Sequence, residues 1–206
     1  VPIIKKPSAS YQKELGEPVF SPDGKYLYYT QNATAGDMFI YHEDTNKQVF
    51  NIKAFNLASR ETSIVAGGPG GAVRPAPSPD GKSLAYIKRV ESVSKLHIKA
   101  LDSGIDTVVV NDLDPDLQET WGITGLYPNI AWLPDASGLV FWAGGKIRLV
   151  DLASGGIKTI PFRVQDSRTI YSPPRENVDV SPEQFETRMV RFASRSPVGT
   201  AVLFES

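Results

Sequence analysis

Few side chains in this sequence could carry catalysis. The 206 residues include no cysteine and two histidines, His42 and His97. Without cysteine there is no thiol nucleophile, no zinc–thiolate site and no disulfide. A histidine base needs an oriented partner, and the sequence shows none for either residue: His42 lies in a polar stretch and His97 in an alternating one. No Gly-x-Ser-x-Gly motif occurs, so we predict no catalytic centre in this chain.

A glycine-rich stretch, Gly-Gly-Pro-Gly-Gly at residues 67–71, has a composition that could cradle a phosphate. It lacks the Lys-Ser/Thr pair of a P-loop, and it leads into a strand pattern instead of the N-terminus of a helix. We therefore interpret it as a turn between two structural units.

Three aspartates, Asp112, Asp114 and Asp116, alternate along the chain and could offer oxygen ligands to calcium. Pro115 interrupts the pattern, and no glutamate stands at the twelfth position of an EF-hand loop. We interpret the stretch as a polar connecting loop, and we predict no metal and no cofactor in the chain.

The secondary structure that positions the candidate residues is indicated by an internal repeat. Four stretches align without gaps, at residues 21–29, 78–86, 133–141 and 196–204, and the first two begin Ser-Pro-Asp-Gly-Lys. Proline, aspartate and glycine are turn formers, and the alternating apolar residues that follow, such as Leu27 and Tyr29, indicate a β-strand. The fourth copy is degenerate because Val198 replaces the aspartate.

Each repeat continues with a second alternating strand, a polar turn and a further strand. Two hairpins give four antiparallel strands, which is one blade of a β-propeller. The predicted fold is therefore all-β, a partial propeller of about three and a half blades over residues 1–206. We expect blades at about residues 14–66, 70–111 and 127–162, a partial blade at 186–206, and the outer strand of a preceding blade at about 1–7. Insertions fall at residues 32–48, 111–127 and 163–188.

Five residues lie on or beside the segments that lead into the innermost strands, near the expected mouth of the propeller channel. They are candidate channel-mouth or interface residues: Arg74, Gln118, Glu119, Trp121 and Tyr127. Two interpretations remain open: hydrogen bonding and packing between blades, or a surface that meets a partner domain or a substrate.

The Ser-Pro-Asp-Gly-Lys hairpins resemble the PD40 repeats of TolB-like β-propellers. Segments at residues 15–29, 63–82, 118–121, 127–128 and 141–147 are most similar to the propeller half of bacterial amidohydrolase-related proteins. In that family a TolB-like propeller precedes a metal-dependent TIM-barrel hydrolase. Prolyl oligopeptidase-type and tricorn-type peptidases carry similar repeats.

The resemblance implies a non-catalytic propeller that supports or gates a hydrolase domain outside this chain. The barrel of that family holds its metal with a His-x-His pair, which this sequence lacks, so no catalytic residue is transferred. The alternatives are a TolB-type periplasmic interaction scaffold and the gating propeller of a serine peptidase. The resemblance also implies a periplasmic or secreted location, although residues 1–7 do not form a signal peptide.

The remaining partner classes follow from charge and hydropathy. A net charge of −1 provides no field that attracts nucleic acid, and no apolar run reaches the ~18–20 residues of a membrane span. Three and a half blades would leave apolar faces open, at Leu27/Tyr29 and at Val202/Phe204. We therefore expect further blades or a C-terminal hydrolase domain in the same polypeptide, or self-association through those faces.

Overall fold

The computed structural model describes residues 2–13, 15–44, 46–120, 125–172, 174, 178–179, 181–184, 189 and 191–205. The described residues form strands and turns but no helix. The strands are β1 (Leu15–Phe20), β2 (Tyr26–Asn32), β3 (Phe50–Asn56), β4 (Thr62–Ala66), β5 (Val73–Pro77), β6 (Ser83–Val90), β7 (Val93–Ala100), β8 (Asp106–Val110), β9 (Ala131–Trp132), β10 (Gly138–Ala143), β11 (Lys146–Asp151), β12 (Ile157–Ile160), β13 (Arg191–Arg195) and β14 (Val202–Glu205). In the described part of the chain no helix is long and apolar enough to cross a membrane.

The strands assemble into antiparallel sheets in chain order. Three sheets have four strands each, β1–β4, β5–β8 and β9–β12, and these are blades 1, 2 and 3. Strands β13 and β14 form a two-stranded sheet. The chain divides into two units, Val1–Arg163 with the three blades and Val164–Ser206 with the β13–β14 hairpin. The prediction of an all-β fold built from four-stranded antiparallel blades is confirmed.

The Ser-Pro-Asp-Gly motif closes the hairpin between the first two strands of a blade. In blade 1 the Ser21 hydroxyl donates to Asp23 Oδ1 (2.7 Å) and accepts from Tyr26 N (2.9 Å). Asp23 Oδ1 also accepts from Lys25 N at 3.1 Å, and Gly24 adopts a φ of 70° that favours glycine. The same contacts recur at Ser78 in blade 2, so one local motif sets both hairpins.

This turn predicts an unusual titration. The hydroxyl of Ser21, and after it the amide of Lys25, lower the pKa of Asp23 to about 2. Because the pKa is lowered on folding, this contribution to stability is complete above the ordinary aspartate value of about 3.9 and is lost as the pH falls through about 2. An NMR titration of the Asp23 carboxyl carbon should show this midpoint, and Ser21→Ala should raise it. A midpoint near 3.9 in the unsubstituted protein would refute the prediction.

The blades of the first unit pack face to face through apolar side chains. Between blades 1 and 2 a buried cluster includes Tyr28, Ile52, Leu84 and Tyr86. Between blades 2 and 3 a larger cluster includes Ala85, Ile87, Leu96, Leu139 and Phe141. Each fully buried large side chain contributes about 1.5–3 kcal/mol of transfer free energy. Strand β6 serves both clusters because its successive side chains point to opposite faces.

The other face of blade 1 corrects the sequence analysis in two respects. Residues 2–7 contain no strand, so the predicted outer strand of a preceding blade is not formed there. Instead Ile4, together with Leu57, packs against Leu27, Tyr29 and Phe55. Leu27 and Tyr29 are buried, although the sequence analysis expects them on an open face. The segment predicted as a strand at about residues 1–7 instead covers part of blade 1 without regular structure.

The second unit repeats the first half of a blade. Strands β13 and β14 pair around a turn with Ser196 at its start and Gly199 at a φ of 73°. Most of its apolar side chains are exposed, including Val202 and Phe204 as the sequence analysis expects. Self-association through them stays a prediction.

Candidate functional site at the inner strands

The first strand of a blade carries a bulge at a fixed position in the repeat. In β1 the register breaks between Gly16 and Val19, and in β5 between Val73 and Ala76. Glu17 and Arg74 stand inside these breaks with φ of 54° and 57°, a left-handed conformation that is uncommon outside glycine. Each residue precedes its turn motif by four positions. Such strained bulges re-aim a side chain, and here the side chains are ionic.

Glu17 joins blade 1 to the rest of the unit. Its Oε2 accepts from Thr30 Oγ1 (2.7 Å) and from Arg74 N (2.5 Å). Its Oε1 accepts from Leu126 N (2.8 Å) and lies 3.2 Å from Arg74 Nη2. The Glu17 side chain is 3% exposed. We call this arrangement, of Glu17 with Thr30, Arg74 and Leu126, the Glu17 clamp.

Arg74 carries the connection onward to blade 3. Its Nη1 donates to Asn129 Oδ1 at 2.8 Å, and its Nη2 donates to the carbonyl of Tyr127. Asn129 also precedes its turn motif by four residues, so three repeat-equivalent residues from three blades follow one another, Glu17 to Arg74 to Asn129. Gly125 beside them has a φ of 103°, which favours glycine, and a Cβ there would also displace the Arg74 guanidinium, since it would stand 2.1 Å from Arg74 Nη2.

The inner strands enclose a groove of about 660 Å³. The ionic groups of the Glu17 clamp lie at its wall and are bonded to one another. The rest of the wall is largely apolar and rich in proline, and Phe20 is 53% exposed. Trp132 is fixed there by a hydrogen bond from its Nε1 to the Ala76 carbonyl, at 2.8 Å. The groove therefore combines a proline-rich apolar wall with the bonded polar groups of Glu17, Arg74 and Asn129.

A second ionic arrangement centres on Arg89 at the end of β6. Its Nε lies 3.0 Å from Asp116 Oδ2, and its Nη2 lies 2.9 Å from both Asp116 Oδ1 and Glu119 Oε2. The Asp116 side chain is fully buried, and Ser94 Oγ donates to it at 2.7 Å. Burial acts to lower the pKa of Arg89, but Glu119 and Asp116 outweigh it and the pKa is raised. We call this set, Arg89, Asp116, Glu119 and Ser94, the Arg89 network.

The glycine-rich stretch at residues 67–71 connects blade 1 to blade 2, which confirms its interpretation as a turn between units. Gly70 has a φ of 83°, and a Cβ there would stand 1.9 Å from the Arg89 carbonyl oxygen. A Cβ at Gly71 would stand 2.0 Å from Gln118 Oε1. Gln118 Nε2 in turn donates to the Gly70 carbonyl at 3.0 Å. These glycines permit close packing of the 111–127 insertion against the turn.

The structure divides the candidate residues into two groups. Arg74 lines the groove, and its guanidinium donates a hydrogen bond to the carbonyl of Tyr127, whose side chain lies outside the groove. Gln118 and Glu119 lie in the 111–127 insertion, with Gln118 on the glycine turn and Glu119 in the Arg89 network. Trp121 lies outside the described residues. All four described residues bond between blades or loops, and contact with a partner stays a prediction.

Four further residues form the same ionic and hydrogen-bonding contacts and were not among the predicted site residues: Glu17, Asn129, Arg89 and Asp116. Glu17 and Asn129 occupy the repeat position of Arg74, and the gapless alignment contains that signal. Arg89 and Asp116 carry no comparable signal, because their pairing depends on the path of the insertion.

His97 corrects another statement of the sequence analysis, that neither histidine has an oriented partner. His97 Nδ1 lies 3.0 Å from Asp106 Oδ1, and the Tyr86 hydroxyl donates to the other oxygen of Asp106. The Tyr86 and His97 rings stack at 5.4 Å. Burial, and then the Asp106 carboxylate, raise the pKa of Tyr86. His97 Nε2 is buried without a hydrogen-bond partner among the described residues, and His42 is exposed.

The described residues contain no group of three or more His, Asp or Glu side chains placed to hold a metal ion. The alternating aspartates separate: Asp116 enters the Arg89 network, Asp114 Oδ2 accepts from Gly144 N at 2.6 Å, and Asp112 is exposed.

Comparison with known proteins places the fold. No family model matches the chain, and no curated protein matches it. Among solved structures, TolB from Acinetobacter baumannii is 18% identical with a TM-score of 0.54, over 73% of this chain and 33% of that chain. The AtxE2 isopeptidase is 15% identical with a TM-score of 0.51, over 74% of this chain and 31% of that chain. The chain thus spans about a third of the length of these structures. Its four-stranded blades, their order and these likenesses identify the fold of the chain as part of a β-propeller, similar to the propellers of these structures.

Proposed function

We propose that this chain is a non-catalytic β-propeller module that supports or gates a metal-dependent hydrolase domain outside these 206 residues. The observation that carries the proposal is the groove at the inner strands. Its ionic residues are bonded between blades, while Phe20 and the prolines beside it remain accessible to a docked domain or a passing substrate. The family resemblance supplies the class of the partner domain and a periplasmic or secreted location.

A second candidate function is a protein-interaction scaffold of the TolB type. It is favoured by the 32–48 insertion, which carries exposed apolar side chains: Met38, Ile40 and Tyr41 are 63%, 51% and 56% exposed. Exposed apolar residues grouped in one loop are typical of a protein-binding surface. A scaffold would bind its partner through this loop and would need no hydrolase domain.

Hydrolysis assays of the purified chain and of the complete gene product test the first proposal. We expect the 206-residue chain to hydrolyse neither cyclic amides nor peptides, with or without added zinc. We expect the complete gene product to hydrolyse a cyclic amide or peptide in a metal-dependent reaction. Phe20→Ala should then change KM for large substrates more than for small ones, because a gating groove limits the entry of large substrates to the hydrolase domain.

The matched control is Met38→Ala, which removes an apolar side chain outside the groove that is exposed to a similar degree, 63% against 53% for Phe20. Metal-dependent turnover by the 206-residue chain itself, abolished by His42→Ala or His97→Ala, would overturn the proposal. A complete gene product without hydrolase activity that loses a bound protein on Met38→Ala would favour the scaffold.

A further inference from the structure

A pocket of about 410 Å³ lies between the 111–127 insertion and β10, apart from the groove. We call it the Trp142 pocket, and the side chains that matter in it are Asp114, Pro115, Leu117, Tyr127, Pro128 and Trp142. It is built from two separate parts of the first unit, the insertion and blade 3.

The walls of the Trp142 pocket are apolar and aromatic. Tyr127 is buried, and its hydroxyl donates to the Trp142 carbonyl at 3.0 Å, which fixes the insertion to β10. Trp142 is 39% exposed and Leu117 is 50% exposed, so both present accessible apolar surface. Such walls suit a flat or elongated apolar group.

Asp114 is the charged side chain that lines the pocket, and no cationic side chain is among the described residues that line it with Asp114. Arg148 lies nearby, beside Gly144, but does not line the pocket. Its Oδ2 accepts one hydrogen bond from Gly144 N, and among the described residues Asp114 forms no ion pair. Asp116 differs, because Arg89 neutralises it within the Arg89 network. The Asp114 carboxylate is thus available to a cation from outside.

The titration of Tyr127 supports a negative potential at this place. Burial first, and then the charges of Asp114 and Asp116, raise the pKa of Tyr127 to about 12. The backbone amide of Asp114, and after it Arg148, lower the pKa of Tyr127, but they do not outweigh these effects.

We infer that the Trp142 pocket binds an arginine side chain of a peptide partner. The guanidinium stacks on the exposed indole of Trp142 and donates to the free lone pairs of Asp114, while its methylene stem lies on Leu117 and the prolines. A neutral side chain of the same shape leaves Asp114 without a partner and loses the cation–π attraction. This inference concerns a surface outside the groove and does not depend on the proposed hydrolase.

The test uses the 206-residue chain and two short probes, acetyl-Gly-Arg-Gly-amide and the same peptide with citrulline, the neutral isostere of arginine. The indole N–H resonance of Trp142, identified by its absence in Trp142→Phe, is followed by NMR during titration. We expect the arginine peptide to shift it with a Kd on the order of 1 mM, as suits one anchoring side chain, and the citrulline peptide to bind at least about tenfold more weakly.

Asp114→Asn removes the charge but keeps an oxygen that can accept from Gly144 N, so the loop should remain folded. It should weaken binding of the arginine peptide about tenfold, whereas Asp102→Asn, in an exposed turn, should leave it unchanged. The inference is overturned if both peptides bind equally, if Asp114→Asn binds as the unsubstituted chain does, or if Trp142 does not respond up to about 10 mM. The comparison of the two peptides on the unsubstituted chain needs no variant to fold.

Discussion

Arg89→Met is expected to destabilise the protein by about 3–5 kcal/mol in urea unfolding, because it leaves the fully buried Asp116 carboxylate without its ionic partner. Methionine fills much of the space of the arginine stem but offers no donor. Asp116 would keep only neutral partners, chiefly Ser94 Oγ and Gln118 N. Such a loss is a large part of the ~5–15 kcal/mol by which a domain is stable.

The double variant Arg89→Met/Asp116→Asn separates the ionic cause from lost packing. Removing both charges should recover a substantial part of the loss, since a buried pair replaced as a pair costs far less than a pair that is broken. The control is Lys25→Met, which breaks an exposed ion pair of 3.2 Å with Asp23 and should cost at most about 1 kcal/mol. Additive losses in the double variant would show that the charge of Asp116 is not the cause.

Glu17→Gln is expected to cost a similar amount, about 3–5 kcal/mol, through the Glu17 clamp. The carboxylate accepts three hydrogen bonds, from Thr30, Arg74 and Leu126, and pairs with a guanidinium that is 14% exposed. A carboxamide turns an N–H donor toward at least one of those donors and leaves the Arg74 charge unmatched. Urea unfolding of the whole chain measures the loss.

Glu91→Gln is the control for this variant, because Glu91 is exposed in the β6–β7 turn and should tolerate the change within about 0.5 kcal/mol. If Glu17→Gln were as stable as Glu91→Gln, the contacts of the Glu17 clamp would contribute nothing to the fold.

The hairpins and blades could be predicted because their signals are local. The turn motif at Ser21 and Ser78 satisfies its own hydrogen bonds within six residues, and period two places Leu84 and Tyr86 on one face. Nothing in those patterns depends on a distant part of the chain. The repeat therefore predicted the four-stranded sheets.

The covered face of blade 1 could not be predicted in the same way. Ile4 reaches Leu27 and Tyr29 through a segment without regular structure, and its path follows from the apolar area it buries. The repeat predicted the outer strand of an additional blade at residues 1–7. In the structure Ile4 covers this face of blade 1 instead.

The ionic contacts of the site were predicted only in part, because they depend on breaks in the strand register. Arg74 was predicted to lie beside an inner strand. The bulge that directs its side chain toward Glu17 and Asn129 requires a non-glycine residue with a left-handed backbone conformation, which sequence patterns do not indicate. His97 and Asp106 likewise come together through the pairing of β7 with β8, where Asp106 stands opposite Lys99, two positions along the strand from His97 and therefore diagonal to it.

Amide hydrogen exchange at Arg74 and Leu126 tests the central claim, that repeat-equivalent residues of the inner strands hold the three blades in one arc. The Arg74 amide lies in blade 2 and the Leu126 amide in the segment that leads into blade 3, and both donate to Glu17 of blade 1. We predict slow exchange at both in the unsubstituted protein and an acceleration of at least about 100-fold at both in Glu17→Gln, with Arg74 and Leu126 changing together. Rapid exchange in the unsubstituted protein, or protection that survives Glu17→Gln, would contradict this arrangement of the blades.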